Sequence, residues 1–206
     1  MIITGTDTDI GKSVVASMLT LALGAKYFKP IQCGTDPETD VDAVRRMTKL
    51  GPDRILPSPV VLKAPLSPHR AAELEGVDID LGQLTPPNES PLIIEGAGGL
   101  MVPVNRQTLF IDVFKSWNQP IILVTRTGLG TLNHTLLSLE ALRARDMDVL
   151  GVLFVGDENA DNMRTIGEIS GQKVLGRLPL LAKLDVKNLK QAFDRNFNAQ
   201  DFEIIK

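Results

Sequence analysis

Short apolar runs alternate with longer segments of helical period along this chain. The apolar runs carry Ile, Val and Leu at consecutive positions, which is typical of strands buried on both faces of a sheet. The longer segments repeat apolar residues every three to four positions, as amphipathic helices do. The alternation therefore predicts an α/β fold, a mostly parallel sheet with helices on both faces. The predicted strands span residues 1–4, 26–29, 92–95, 120–125, 149–155 and 174–178, and the predicted helices span 12–23, 41–50, 111–117, 132–145, 162–170 and 186–193.

Two stretches show neither pattern. For residues 51–82 we expect loops with a short helix near residues 70–74. Residues 83–91 are rich in Pro, Asn and Ser, and they resemble either a linker or a surface loop. We favour the loop because neither flank alone closes a sheet, and the length suits one domain, so we predict a single catalytic domain over residues 1–206.

Composition excludes several classes of protein. The 206 residues carry 22 Lys plus Arg against 25 Asp plus Glu, a formal charge of −3 without a basic cluster. Such a balance gives no electrostatic footprint for nucleic acid or an anionic membrane. A single cysteine, Cys33, and a start without a signal-peptide pattern predict a reduced, cytoplasmic protein. No apolar run approaches the ~20 residues that cross a bilayer.

The strongest chemical signal is residues 5–13, Gly-Thr-Asp-Thr-Asp-Ile-Gly-Lys-Ser, between a predicted strand and a predicted helix. This pattern is typical of a P-loop, whose backbone N–H groups converge on phosphate oxygens at a helix N-terminus. Lys12 would then reach the terminal phosphates and Ser13 would hold Mg²⁺. A tight turn with a surface Lys and a capping Ser is the structural alternative. Gly5 and Gly11 are separated by five residues instead of the usual four.

Carboxylates follow at two places. Residues 91–99 read as a buried strand that ends at Glu95 and continues into a glycine-rich turn. Glu95 would then lie at the carboxyl edge of the sheet, where ligands bind and a carboxylate can complete a Mg²⁺ shell. Asp42, with Asp40 close by, offers a second carboxylate where a helix starts. Each acid also has a plain alternative, a solvated strand end for Glu95 and a helix cap for Asp42.

Lys29 ends the predicted second strand and precedes Pro30. Its side chain can project over the same sheet edge as Lys12. Two lysines beside one phosphate suit a reaction that builds negative charge there, although a solvated Lys has the same sequence signal. Cys33 is either a small core residue or a thiol lining the ligand site, and nothing marks it as a nucleophile.

The turn Gly128, Leu129, Gly130 opens like a dinucleotide fingerprint, but Asn133 replaces the third glycine. Its N–H groups could instead hold a substrate carboxylate. The two histidines, His69 and His134, lack partners at metal-ligand spacing, so we expect no zinc site.

Together these motifs, with Ser67-Pro68-His69, resemble the dethiobiotin synthetase family from residue 1 to about residue 181. The long P-loop is normal in that family. The resemblance implies a P-loop NTPase-like three-layer fold and an ATP- and Mg²⁺-dependent ligase of biotin biosynthesis. Such a ligase closes the ureido ring of dethiobiotin from 7,8-diaminononanoate and CO₂ through a carbamate and a carbamic-phosphoric anhydride.

The resemblance also implies roles for residues. Lys29 and Lys12 would be catalytic, and Ser13, Asp42 and Glu95 would ligate Mg²⁺. Substrate would meet Lys29 and Cys33, where several relatives carry Ser, and, in a homodimer, the partner subunit's turn with Gly128, Leu129, Gly130 and Asn133. The nucleotide would contact Asp9, Ile10, Gly11, Lys12, Ser13, Val14, Asp42, Glu95, Gly96, Ala97, Gly98, Pro179, Leu180 and Leu181.

The sequence departs from the family pattern at one position, and two other functions are compatible with parts of it. Gly156 stands where several relatives read adenine with an Asn, so we expect the site to reject other bases less strongly. A partitioning-type switch ATPase shares the fold, but such switches usually carry a lysine where this chain has Asp7. An amide-forming ligase on a cobalamin precursor would usually add a glutaminase domain, for which 206 residues leave no room.

Overall fold

A computed structural model describes residues 1–203 of the chain, so the last three positions of the predicted domain, 204–206, lie outside the described residues. Within residues 1–203, eight strands and seven α-helices follow one another, with two short 3₁₀ turns at Leu81–Leu84 and Ala199–Phe202. The strands are β1 Ile2–Gly5, β2 Lys26–Phe28, β3 Ile31–Cys33, β4 Val60–Leu62, β5 Leu92–Gly99, β6 Ile121–Arg126, β7 Val149–Val155 and β8 Val174–Leu178. The helices are α1 Lys12–Ala22, α2 Asp40–Thr48, α3 Pro68–Glu75, α4 Phe110–Trp117, α5 Thr131–Arg143, α6 Ala160–Ser170 and α7 Val186–Asn196.

Six strands form one parallel sheet in the order β2-β5-β1-β6-β7-β8. The chain therefore starts near the middle of the sheet, fills one side with β2 and β5, and then crosses to the other side. Each of these six strands matches one of the predicted apolar runs, so the predicted parallel sheet is confirmed. The carboxyl ends of β1, β2 and β5 lie next to one another. This brings the predicted P-loop at residues 5–13, called the phosphate loop below, to the same edge of the sheet as Lys29 and Glu95.

The core lies on both faces of this sheet because successive strand residues point to opposite sides. In β1, Ile2 packs with one core cluster and Ile3 with the other, and both are fully buried. Helices α1, α2 and α7 cover the Ile3 face, and α3 to α6 contribute to the Ile2 face. The predicted three-layer arrangement with helices on both faces is confirmed.

A second, two-stranded parallel sheet, β3 with β4, was not predicted. Each strand has three residues, too few for a readable period, and Val61 in β4 is exposed. The short helix expected near residues 70–74 is present as α3. Within residues 1–203, no helix is both long enough and apolar enough to cross a membrane.

Candidate active site

The phosphate loop joins the end of β1 to the start of α1, as predicted. Gly11 takes the left-handed conformation with φ 92°, and a Cβ there would lie 3.1 Å from Val155 Cγ1, so glycine fits both the backbone and the space. Among the described residues, no side chain caps the N-terminus of α1. Its first backbone N–H groups are therefore left for an anionic ligand, as in phosphate-binding helix N-termini.

Three polar side chains donate hydrogen bonds to the buried carboxylate of Glu95, which is 1% exposed. Ser13 Oγ donates to Glu95 Oε1 at 2.8 Å, and Lys29 Nζ donates to the same oxygen at 3.0 Å. Tyr27 donates its hydroxyl to Oε2 at 2.9 Å. Asp40 completes the group, with Oδ2 3.0 Å from Lys29 Nζ and Oδ1 3.3 Å from Ser13 Oγ. Lys29 thus lies between two carboxylates, beside the first turn of α1.

The register of the sheet explains why Lys29 and Glu95 meet. Phe28 of β2 pairs with Ile94 of β5, so the next residue on each strand falls side by side. Pro30 then ends the strand, and Lys29 stays buried at 2% exposure. The solvated strand-end lysine, which the sequence left open, is therefore wrong, and so is the solvated strand-end reading of Glu95.

Burial and neighbouring charges have opposite effects on the pKa values of the side chains in this cluster. Burial lowers the pKa of Lys29, but the carboxylates of Glu95 and Asp40 outweigh it, and the pKa lies above its usual value. Burial alone would raise the pKa of Asp40, yet the Lys29 charge and its hydrogen bond bring that pKa below its usual value. Burial lowers the pKa of Lys12, with Glu95 acting in the opposite direction. Lys29 is therefore a buried ammonium held between the carboxyl groups of Glu95 and Asp40.

Lys12, predicted to reach the terminal phosphates, lies in the same cleft. Its Nζ donates to the backbone carbonyl of Asp7 at 2.6 Å, across the phosphate loop, and the side chain is 8% exposed. A buried ammonium with a single neutral acceptor keeps unused donors for an incoming anion.

One member of the predicted metal set, Asp42, lies apart from Ser13 and Glu95. Asp42 is half exposed and serves α2 itself, because its carboxylate accepts from Thr39 Oγ1 at 2.6 Å and pairs with Arg45 at 2.7 Å. Asp40, two residues earlier, faces Ser13. Gln32 helps to fix it, since its Oε1 accepts the backbone N–H of Asp40 at 3.1 Å. Asp42 thus has the contacts of the helix-cap acid of the structural alternative, whereas Asp40 lies within 3.3 Å of Ser13 Oγ.

The oxygen donors here fit a magnesium ion. Ser13, Asp40 and Glu95 bring one hydroxyl and two carboxylates together. Among residues 1–203, no group of three or more His, Cys, Asp or Glu side chains is placed to hold a metal. A site with only two carboxylates suits Mg²⁺, which takes one or two from the protein and the rest from phosphate oxygens and water.

A cleft of about 810 Å³ opens over this cluster. Lys12, Ser13 and Lys29 line one side, and Cys33, Ala97 and Gly98 contribute further along. Burial raises the pKa of the Cys33 thiol to about 11, so the thiol is protonated near neutral pH and is no nucleophile. The segment Ser67-Pro68, part of the predicted family motif, lines the same cleft. Gly96 borders the cluster through its carbonyl oxygen, 3.5 Å from Lys29 Nζ.

A second cavity, of about 350 Å³, lies on the other side of the phosphate loop. The predicted nucleotide-contacting residues Asp9, Ile10, Gly11 and Val14 form one wall, and Pro179, Leu180 and Leu181 form another. In the described part of the chain, its lining holds no amide side chain. Gly156 has φ 130°, and a Cβ there would lie 2.5 Å from Thr127 Oγ1, so this backbone has no room for a side chain.

The turn with Gly128, Leu129, Gly130 and Asn133 does not join these residues. It leads into α5 on the surface, and the Leu129 side chain is fully exposed. Among the described residues that line the two cavities, none belongs to this turn. Within one subunit, the structure keeps this part of the predicted substrate site apart from the phosphate loop.

Sequence reasoning missed three contributors. Tyr27 looks like a core aromatic in a short strand, and Gln32 looks like a polar residue in a loop. Arg126 lines the smaller cavity and pairs with Asp7 of the phosphate loop at 3.1 Å. The one usable signal was position, because Tyr27 precedes Lys29 by two residues and therefore shares its side of the strand.

Comparisons with known proteins show which family the chain belongs to. A family model described as AAA domain matches residues 1–188. ATP-dependent dethiobiotin synthetase BioD of Rhodopseudomonas palustris (strain TIE-1) is 54% identical over 98% of this chain and 96% of the relative. The chain belongs to the ATP-dependent dethiobiotin synthetase family. The synthetases of Afipia carboxidovorans and Brucella ovis, 50% and 52% identical over 98% of this chain and 97% and 96% of their own lengths, agree.

Solved structures with much lower sequence identity confirm the fold. A ParA family ATPase of Chlorobium tepidum TLS has a TM-score of 0.50 at 11% identity, with 94% of this chain and 90% of that chain covered. The MinD cell division protein of Aquifex aeolicus has a TM-score of 0.51 at 13% identity, with coverages of 93% and 86%. Such low identities show the shared fold alone, so the dethiobiotin synthetase family, matched over nearly the whole chain, decides against the switch ATPase.

Proposed function

We propose that this chain closes the ureido ring of dethiobiotin from 7,8-diaminononanoate, CO₂ and ATP. One amine nitrogen adds to the carbon of CO₂ and loses a proton, giving a carbamate. A carbamate oxygen then attacks the γ-phosphorus of ATP, and the bond to the β–γ bridging oxygen breaks to release ADP. The second amine attacks the carbonyl carbon of the mixed anhydride, expels phosphate and loses a proton.

The observation that carries this proposal is the Lys29 ammonium beside the phosphate loop. A buried cation, fixed by Glu95 and Asp40 at 3.0 Å each, cannot be displaced into solvent as a surface lysine can. Charge grows on the carbamate and phosphoryl oxygens during transfer, and a preorganised cation stabilises that charge without reorganisation. Lys29 is therefore the residue we assign to the transferring group from the substrate side.

Lys12 and the start of α1 hold the other side of the transferring group. Lys12 exchanges its contact with the Asp7 carbonyl for phosphate oxygens, and the uncapped N–H groups at the start of α1 bind the remaining oxygens. Ser13, Asp40 and Glu95 would hold Mg²⁺. Bound Mg²⁺ neutralises charge on the β- and γ-phosphates.

The nucleotide and the diamine occupy different cavities. The nucleoside part of ATP lies in the smaller cavity against Pro179, Leu180 and Leu181, and the diamine with CO₂ lies in the larger one, near Lys29 and Cys33. Both cavities include Asp9, Gly11 and Val14 in their linings. The phosphates can therefore pass between them along the loop.

We place the enzyme in the cytoplasm as a homodimer. The exposed Leu129 and the left-handed Gly130 at the start of α5 support a partner contact, because this turn lies outside the cavities of its own subunit. In the dimer, the turn and Asn133 would meet the substrate carboxylate at the partner's site.

The test is release of phosphate by the purified protein with ATP, Mg²⁺ and bicarbonate, with and without 7,8-diaminononanoate. We expect release only when the diamine is present. A matched control replaces the diamine by 8-amino-7-oxononanoate, which has one amine and cannot close the ring. Release that is indifferent to the diamine would contradict the proposal and favour a switch ATPase.

A further inference from the structure

We propose that Tyr27 is a positioning residue for this reaction, because its hydroxyl holds the Glu95 carboxylate with Oε1 facing the cleft. The inference rests on the proposed function, since it gives Glu95 its place beside the phosphates and Mg²⁺.

The two oxygens of Glu95 have different neighbours. Oε1 accepts from Ser13 Oγ at 2.8 Å and from Lys29 Nζ at 3.0 Å, both of which line the large cleft. Oε2 accepts from the Tyr27 hydroxyl at 2.9 Å, on the core side. Rotation of the carboxylate would therefore cost the tyrosine bond, so the phenol fixes which oxygen the cleft receives.

The strand register makes this contact a property of the fold. Tyr27 of β2 lies opposite Ile93 of β5, so Glu95 is the diagonal neighbour two residues further along. The long tyrosine side chain bridges this diagonal, since its hydroxyl lies 2.9 Å from Glu95 Oε2. Lys29, two residues after Tyr27, approaches the same carboxylate from directly beside it.

Burial makes the two groups dependent on each other. Tyr27 is fully buried, and its backbone is tied to residues 54–56 by hydrogen bonds from Tyr27 N to Arg54 O at 2.8 Å and from Leu56 N to Tyr27 O at 2.9 Å. The ring belongs to the same buried core cluster as Ile55 and Met47. Packing alone would be satisfied by phenylalanine, whereas the buried hydroxyl needs an acceptor and Oε2 needs a donor.

The first test compares Tyr27→Phe with the wild type by calorimetric titration of Mg²⁺ in the presence of the β,γ-imido analogue of ATP. Losing the outer partner of a metal ligand typically weakens metal binding about 10–100-fold, so we expect the Mg²⁺ dissociation constant to rise by at least ~10-fold. Ser170→Ala is the matched control, because it also removes a buried hydroxyl, one that donates to Ile166 O in α6. We expect this control to bind Mg²⁺ like the wild type.

The second test needs no substitution at the site. Tyr27 is the only tyrosine of the chain, so 3-fluorotyrosine places a fluorine label at this position alone. We expect its ¹⁹F signal to shift when Mg²⁺ is added to the complex with the imido analogue. The reason is that Mg²⁺ adds positive charge beside the Glu95 carboxylate, which accepts the hydrogen bond of the phenol. This measurement decides even if Tyr27→Phe does not fold.

The outcomes separate the two proposals. If the wild type does not bind Mg²⁺ with the nucleotide analogue, the proposed function itself fails. If it binds, a folded Tyr27→Phe variant with a Mg²⁺ dissociation constant within twofold of the wild type overturns the positioning role. An unchanged ¹⁹F signal on Mg²⁺ binding overturns it as well.

Discussion

Replacing Lys29 by methionine separates the chemical role of its charge from its packing. Methionine keeps most of the side-chain volume and removes the ammonium that lies 3.0 Å from both Glu95 and Asp40. Removal of one preorganised group that stabilises transition-state charge typically costs about 10²–10³-fold in kcat. We expect Lys29→Met to lose at least ~10²-fold in kcat, while the affinity for ATP, which Lys12 and the phosphate loop provide, changes little.

The same substitution has a cost in stability. Lys29 and Glu95 are 2% and 1% exposed, and removing one partner of a buried pair typically destabilises by about 3–5 kcal/mol. That loss is a large part of the ~5–15 kcal/mol by which small proteins are stable. Adding Glu95→Gln to Lys29→Met removes the unpaired charge, so the double variant should recover part of the stability and none of the turnover.

The assay combines urea unfolding with steady-state kinetics under saturating diamine, bicarbonate and ATP. Folded protein is quantified first, because loss of folded enzyme would otherwise imitate loss of catalysis. A Lys29→Met enzyme that is folded and has kcat within tenfold of the wild type would refute the catalytic assignment. A free energy of unfolding unchanged by Lys29→Met would refute the buried ion pair.

Three further predictions concern the metal, the base and a surface carboxylate. Asp40→Asn should raise the Mg²⁺ concentration for half-maximal activity at least ~10-fold, a loss typical even of outer-shell partners, whereas Asp42→Asn should leave it unchanged; equal effects would contradict the assignment of Asp40. Because the smaller cavity lacks an amide side chain among its described lining residues, CTP and GTP should support turnover with kcat/KM within ~10²-fold of ATP, and rejection by more than ~10⁴-fold would show a hydrogen-bond reader. Hydrogen bonds from Arg106 and Arg70 lower the pKa of Glu73 to about 2, so this contact stabilises the fold above the ordinary pKa of ~4.3 and loses that effect as the pH falls toward 2. Arg106→Ala should move the Glu73 midpoint, followed by NMR, upward, and an unmoved midpoint would contradict the pairing.

The sequence was most informative where one physical pattern dominates. Strands β1, β5, β6 and β7 are buried on both faces, so their apolar runs were recognisable without any contact information. The phosphate loop was recognisable because such a loop needs a left-handed backbone at one position and a cation at the next, which Gly11 and Lys12 provide. Parallel topology then brought Lys29 and Glu95 to the edge on which the loop lies.

The remaining features depend on contacts that the sequence does not encode locally. Asp40 and Asp42 lie two residues apart at a helix start, and only the tertiary contact with Gln32 and the cap with Thr39 decide which one faces Ser13. Tyr27 of β2 contacts Glu95 of β5, 68 residues further along the chain, so no local pattern indicates this contact. The small β3–β4 sheet has three-residue strands, below the length at which a period is visible.

The most direct measurement of the central claim follows an oxygen atom. If the carbamate attacks the γ-phosphorus and phosphate later leaves with that oxygen, reaction in unlabelled water with freshly added ¹⁸O-bicarbonate transfers one ¹⁸O atom to the released phosphate. We expect phosphate with a single ¹⁸O, formed in equal amount with dethiobiotin, and we expect Lys29→Met to slow the formation of both by at least ~10²-fold. Phosphate that takes its new oxygen from water would contradict the account, because it would show hydrolysis of ATP without transfer to the carbamate.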